Sequence, residues 1–567
     1  MLAAIAIKIE VVAVSRLSRR LLTVMMVAMM AILAFAVSPE TVRAADAGVI
    51  TISGDVATQY DAYQLFSATV ADKAGSDQKV ATDLAWANDA VCQAVLPVLH
   101  DAGLDSSAST AQAATEWMNA DGRMTTALTA KLARAIVEAG AASVGLNAGT
   151  AAELPCGYWL IVVDDDAIAQ GEAGTAPIMA LVGGAAVTVK PKAATPKVQK
   201  HVLEDSTAAW QKAANATVAD DLYWRLSATV PAGLAAYDTY TVRFVDTMSA
   251  GLDPSKVAAS MRVYVAAGAD GGFDAVSADK DGRAGTEPAK GWTDITAQCA
   301  TKVAADGKTF TVRTGDLIAA LGGADAFTAG ARVVAVYNAP LNSACNHGIA
   351  KGNPNEVYLR YPRSPFADQS GDAGFTRTPS DDACAYTWDL ALTKRGSDGD
   401  KPLAGAVLSI ADDRGRTLAA DGTWDAEGKA TVTTGEDGRV TVSGVDSGKL
   451  EVRELKAPKG YTAFEGTRSV TVKAEGLDVD QVAAAKPKLT ITAESPLRAD
   501  SADGSTGSLE ASLINTPTGT PPSITTGGFM PSTGDMAMCA AAAAAVAGAA
   551  LIVVALLVKR GGGSHKE

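Results

Sequence analysis

Short segments of strand-period alternation run through this chain, and some of their inward positions carry a charged or amide side chain instead of an aliphatic one. Val198, Lys200 and Val202 share one face of a segment opening at Pro196. Val242, Phe244 and Asp246 share a face of a second segment, and Asn355, Val357, Leu359 and Tyr361 share a face of a third. Side chains on a strand point alternately to opposite sides, so Lys200, Asp246 and Asn355 face the core that their aliphatic neighbours face. A buried ammonium must find a partner or lose its charge. Asp246 and Asn355, inward-facing on separate strands, are the two candidate partners of Lys200. Asn353 has the same parity but precedes Pro354; Asn355 leads the strand and is preferred. The arrangement recurs downstream. Trp388, Leu390, Leu392 and Lys394 share a face, as do Leu450, Val452 and Glu454, and Leu509, Ala511, Leu513 and Asn515. Each set has one lysine, one carboxylate and one asparagine at inward positions of separate strands.

Turn signals bound these segments, as at 401–406 and in Gly435-Glu436-Asp437-Gly438, and alternation between turns reads as a β-sandwich. The 567 residues allow three or four domains. The expected fold is mainly β, a tandem of immunoglobulin-like and prealbumin-like β-sandwich domains. The first domain, 47–190, carries a helical insertion: Met124, Leu128, Leu132 and Ile136 recur every four residues and Gly140 suits a C-terminal cap. The second is expected at 196–366 and the third at 384–516. Six cysteines are few for a secreted chain of this length. Cys92 and Cys156 are a candidate pair, and among Cys299, Cys345 and Cys384 one pair and one orphan are expected, with no ground for choosing.

The ends read as targeting segments. Arg16, Arg19 and Arg20 precede an apolar run over 21–37, and Val42-Arg43-Ala44 supplies small residues for cleavage, so 1–44 is expected to be a signal peptide. After a Pro/Thr/Gly linker, 517–535, come Met530-Pro531-Ser532-Thr533-Gly534, an uncharged apolar run over 536–558, and a tail, 559–567, opening with Lys559 and Arg560. The run is long enough to cross a bilayer, with the basic tail cytoplasmic. The net charge of −14 argues against a nucleic-acid partner. Only four histidines occur, and neither a nucleophile–His–acid spacing nor a zinc motif is visible. The Ala278-Asp279-Lys280-Asp281-Gly282 stretch lacks the spaced ligands of a calcium loop. No cofactor or metal is expected, and no enzyme with turnover.

Several stretches resemble sortase-assembled backbone pilins of Gram-positive bacteria. The C-terminal motif resembles the LPxTG sorting signal, with Met530 for Leu. AYQLF and GYWLI are similar to the N-terminal domain of fimbrial backbone subunits. PKVQKHV, RFVDTMSAGL and GNPNEVYLRY resemble, in order, the matching parts of isopeptide-forming fimbrial domains. PLAGAVLSI and VRELKAPKGYT resemble the collagen-adhesin B-type, prealbumin-like domain. Val187-Thr188-Val189-Lys190-Pro191-Lys192 resembles the pilin motif, usually written YPK, with Lys190 in the tyrosine position.

The resemblance implies that a sortase cleaves between Thr533 and Gly534 and passes the Thr533 carbonyl to Lys192 of the next subunit. Strand parity turns Lys192 toward solvent, with Lys190 a rival acceptor. It implies internal amide bonds from Lys200 to Asn355, promoted by Asp246, and from Lys394 to Asn515, promoted by Glu454. The expected role is the shaft subunit of a covalent pilus. Its partners would be identical subunits, pilus-type and wall-anchoring sortases and peptidoglycan, with minor pilins and host ligands also open. The expected location is the cell wall of a Gram-positive-type bacterium, after a transient membrane stage. A monomeric wall-anchored adhesin and a minor tip or basal pilin are the alternatives.

Overall fold

The computed structural model describes residues 47–519, apart from 55, 192–193, 233–234, 280–281, 328 and the side chains of 324 and 325. The 1–44 segment, Lys192, the sorting motif 530–534, the 536–558 run and the 559–567 tail lie outside the described residues. Among the described residues no helix is long and apolar enough to cross a membrane. Strands dominate, in three successive units.

In the first unit the strand Gly157–Val163 is buried along its whole length because both faces of its sheet are covered. Tyr158, Leu160 and Val162 face a helical layer. Trp159, Ile161 and Val163 face a core closed by the small sheet of Ala151–Pro155, Ala47–Ile52 and Val187–Val189. The helical insertion is larger than the sequence pattern suggests. Helices Asp89–Asp101 and Ala111–Met118 precede Thr126–Glu138. The last follows the expected periodicity, with Thr125 capping Leu128 N at 3.1 Å and Gly140 beyond the C-terminus at φ +63°. Val95, Leu99, Leu132 and Ile136 are fully buried, each contributing about 1.5–3 kcal/mol. Asp89–Asp101 carries a stripe of the same spacing, Val91, Val95 and Leu99, with Pro97 inside the helix, whereas Ala111–Met118 is short and buries Ala111, Ala114, Thr115 and Met118.

The second unit is a sandwich of two sheets. One includes Lys197–Glu204, Tyr223–Val230, Ala331–Asn338 and Arg262–Ala267; the other includes Asp381–Tyr386, Asn353–Pro362, Arg243–Met248 and Thr309–Arg313. It runs beyond the 366 expected from sequence, since Phe375–Arg377 and Asp381–Tyr386 both pair with Asn353–Pro362. The reason is local: polar Asp381 and Asp382 hide a strand whose remaining residues, Ala383 to Tyr386, are buried.

The third unit therefore starts at Trp388 rather than 384. Its first strand, Trp388–Gly396, runs parallel to its last, Ser508–Pro517. A second sheet, with Val407–Ala411, Gly448–Lys456 and Thr467–Glu475 at its centre, covers the core side.

The units are joined by more than the chain. Gly174 N donates to Arg363 O at 2.5 Å and Tyr361 Oη to Gly171 O at 2.7 Å. Val218 N donates to Gly444 O at 2.9 Å, and Arg414 and Arg416 both grip Asp220. Cys92, Cys299, Cys345 and Cys384 carry free thiols. Neither the Cys92–Cys156 bridge nor a pair among the other three is formed, so internal disulfides do not staple these units.

Candidate functional site

Lys200, Asp246 and Asn355 come together in the core of the second unit, each with no exposed surface. Lys200 enters from one sheet, opposite Leu226 of the neighbouring strand. Asp246 and Asn355 enter from the facing sheet on adjacent antiparallel strands, where Asp246 pairs with Val357 and Met248 with Asn355. They are therefore diagonal neighbours on one face.

Lys200 Nζ donates to Asp246 Oδ2 and, at 2.9 Å, to Tyr337 Oη. Tyr337 Oη donates to Asp246 Oδ2 at 3.0 Å and accepts from Asn355 Nδ2 at 2.8 Å. The hydroxyl thus links the amine, the carboxyl and the amide. Asp246 Oδ1 and Asn355 Oδ1 are buried without a hydrogen-bond partner, a condition costing roughly 1–3 kcal/mol per group.

Burial sets the electrostatics. It pulls the Lys200 amine down to about 8, against the opposing pull of Asp246. It raises Asp246 above the ordinary carboxylate range, against the pull of Lys200. Both shifts favour the uncharged forms. Trp224 and Tyr337 wall the amine, each ring centroid 5.5 Å from Nζ. Outside the triad, Lys212 Nζ donates to Lys200 O at 2.9 Å, and Asp381 Oδ2 accepts from Lys200 N at 2.6 Å. Lys212 and Asp381 form an ion pair of their own, so the Lys200 backbone is clamped on the side away from Leu226.

Asn353 lies outside this cluster. Its side chain is spent on Asn346 N and O and on Ala385 O. Tyr337 is the participant that sequence reasoning missed. Its parity with Val333 and Ala335, both buried, was the available signal.

The third unit builds a comparable site with the chain arranged differently. Lys394 and Asn515 are on adjacent parallel strands of one sheet, Lys394 pairing with Leu513 and Asn515 with Gly396. Glu454 arrives from the facing sheet. Lys394 Nζ donates to Asn515 Oδ1 and lies 3.2 Å from Glu454 Oε1. The same Oε1 accepts from Asn515 Nδ2 at 3.0 Å, and Glu454 Oε2 accepts from Phe464 N at 3.1 Å. Burial pulls the Lys394 amine down to about 8, with Glu454 opposing.

In the first unit, Val187 and Val189 are buried while Thr188 and Lys190 are exposed. Val187–Val189 is an edge strand, paired in parallel with Ala47–Ile52 alone. Lys192 and the residues 530–534 lie outside the described residues.

Residues 389–486 match the family described as SpaA, prealbumin-like fold domain, so the third unit contains a prealbumin-like domain. A stretch of 143 residues, 24% of this chain, is 30% identical to the trypsin-resistant surface T6 protein of Streptococcus pyogenes serotype M6; the match spans 24% of that relative's length. Among solved structures, the chain is similar to the T6 backbone pilin of serotype M6 Streptococcus pyogenes, at 16% identity over 85% of this chain and 100% of that one, with a TM-score of 0.45. It is also similar to the full-length major pilin SpaD from Corynebacterium diphtheriae, at 14% identity over 83% of this chain and 97% of that one, with a TM-score of 0.39.

Proposed function

We propose that this chain is the backbone subunit of a covalently polymerised surface pilus, stabilised by two internal Lys–Asn amide bonds. The observation that carries the proposal is the recurrence, in two successive sandwiches, of a buried lysine, carboxyl and asparagine with the amine and the amide nitrogen on one hydrogen-bond path.

At each site the neutral lysine Nζ attacks the asparagine Cγ, the Cγ–Nδ2 bond breaks, and ammonia leaves. One proton must move from the attacking nitrogen to the departing one. In the third unit Glu454 Oε1 touches both nitrogens and can carry it directly. In the second unit the path runs from Lys200 through Asp246 and Tyr337 to Asn355 Nδ2. When Asp246 holds the proton on Oδ1, the unpartnered Asn355 Oδ1 gains a donor that polarises its carbonyl. Low dielectric strengthens each of these interactions.

The two bonds would act differently under load. Lys200–Asn355 staples sheet to sheet, whereas Lys394–Asn515 locks the first strand of its domain to the last. Tension entering through the first and leaving through the last would then bypass the sheet hydrogen bonds. An amide, unlike a disulfide, resists thiol exchange, which suits an exported chain.

Polymerisation joins Thr533 of one subunit to Lys192 of the next through a pilus-type sortase, and a wall-anchoring sortase ends the fibre on a peptidoglycan amine. The test is co-expression with the native sortase. A ladder of SDS-resistant species that collapses in Lys192→Ala is expected. Monomer alone would leave the wall-anchored adhesin as the surviving reading.

A further inference from the structure

Cys345, His347 and Asp389 meet where the second unit abuts the third, outside both amide-forming sites. Cys345 Sγ lies 3.5 Å from His347 Nε2, and His347 Nδ1 lies 2.5 Å from Asp389 Oδ2. Asp389 Oδ1 accepts from Ser443 Oγ at 2.6 Å and from Gly444 N at 3.1 Å, so the carboxylate is oriented from behind. The loop bearing the thiol is held as well: Asn346 N donates to Asn353 Oδ1 at 2.8 Å, Asn346 Nδ2 to Gly352 O at 2.9 Å, and Gly348 N to Thr387 O at 3.0 Å. Thiol, imidazole and carboxylate thus stand in the relation that activates cysteine nucleophiles. Cys345 is half-buried, and the adjacent Ser343 and Ala344 are exposed.

We infer that Cys345 is a thiol-modification site, poised by His347 and Asp389 to form a mixed disulfide with a low-molecular-weight disulfide from the surroundings. The Asp389 hydrogen bond, followed by that of Cys345, raises His347 to about 10. An imidazolium there lies 3.5 Å from Cys345 Sγ, where it faces the charge on an attacking sulfur. The thiolate attacks one sulfur of the small disulfide, whose S–S bond breaks as the Cys345 S–S bond forms. The leaving thiolate takes its proton from His347 Nε2 or solvent. Cys345 is oxidised, the reagent is reduced to one free thiol, and no further oxidant is needed. Burial raises the thiols of Cys92 and Cys299, the latter to about 11.

The chain contains its own controls. The full chain is treated with oxidised glutathione at pH 7 and the adducts are mapped by peptide mass. Cys345 is expected to react about tenfold or more ahead of Cys92 and Cys299, and His347→Gln to remove most of that lead. At pH 9.5, where thiols ionise without help, the variant should come within about threefold of the wild type. Equal rates for His347→Gln and wild type at pH 7 would overturn the inference, as would modification of Cys92 with Cys345 untouched.

Discussion

Glu454 Oε1 lies 3.2 Å from Lys394 Nζ, and it is also the oxygen that accepts from Asn515 Nδ2 at 3.0 Å. One carboxyl oxygen therefore addresses both the incoming and the outgoing nitrogen. In the second unit Asp246 reaches the lysine but not the amide nitrogen, and the Tyr337 hydroxyl closes the gap. The two sites should share a chemistry and differ in their dependence on a fourth side chain.

Intact mass separates the chemistry from a purely structural ion pair. Each amide bond removes one ammonia, about 17 Da, so the exported protein should weigh two such units less than its sequence requires. Asp246→Ala and Glu454→Ala should each restore one unit. The calculated mass for the wild type would refute both bonds.

Tyr337→Phe tests the relay. It should slow formation of the Lys200–Asn355 bond by at least about 100-fold, the scale of a lost acid–base group, and leave the Lys394–Asn515 bond at its wild-type rate. Mass against time after refolding gives both rates in one sample. Equal slowing at both sites would point to a general folding defect instead.

Asn515→Ala tests the mechanical staple. Lys394 and Asn515 are 121 residues apart, and closing a loop of that size removes unfolded-state entropy worth about 5 kcal/mol. The variant should lose stability on that order in denaturant titration and become sensitive to trypsin in the third unit. A loss under about 1 kcal/mol, with the wild-type bond present by mass, would show that chain closure contributes little here.

The pH profile of bond formation follows from the shifts at Lys200 and Asp246. The reactive pair, neutral amine with neutral acid, holds one proton, as does the ion pair it interconverts with. Raising the pH through about 8, where Lys200 titrates, removes that proton and the acid with it. Lowering the pH far enough adds a second proton and removes the nucleophile. The rate in protein refolded from an unreacted, unfolded state should therefore be bell-shaped, with its alkaline limb near pH 8. A rate that climbs steadily past pH 9.5 would mean that free amine alone limits the reaction.

The depth of the lysines is legible in the sequence, because period-two alternation fixes the face of a residue from its immediate neighbours alone. Val198 and Val202 suffice to turn Lys200 inward, and Leu390 and Leu392 do the same for Lys394. The exposure of Lys190 beside the buried Val189 follows from the same rule. Helix Thr126–Glu138 was legible through its spaced leucines, and Asp89–Asp101 carries the same spacing in Val91, Val95 and Leu99 but is interrupted by Pro97; the short Ala111–Met118 buries two alanines, Thr115 and Met118. The strand Asp381–Tyr386 was hidden by its acidic start.

What alternation cannot supply is which strand faces which. Lys200 meets its asparagine across two sheets, whereas Lys394 meets its own on the neighbouring strand of the same sheet, although both sets read alike along the chain. Tyr337 joins its site, and Asp389 reaches His347 over 42 positions, through pairings made by sheet order and by the docking of one sandwich on the next. Local sequence thus settles how deep a side chain sits, because burial on a strand follows from its nearest neighbours. Contact partners depend on non-local registers, and those emerge only when the sheets close on one another.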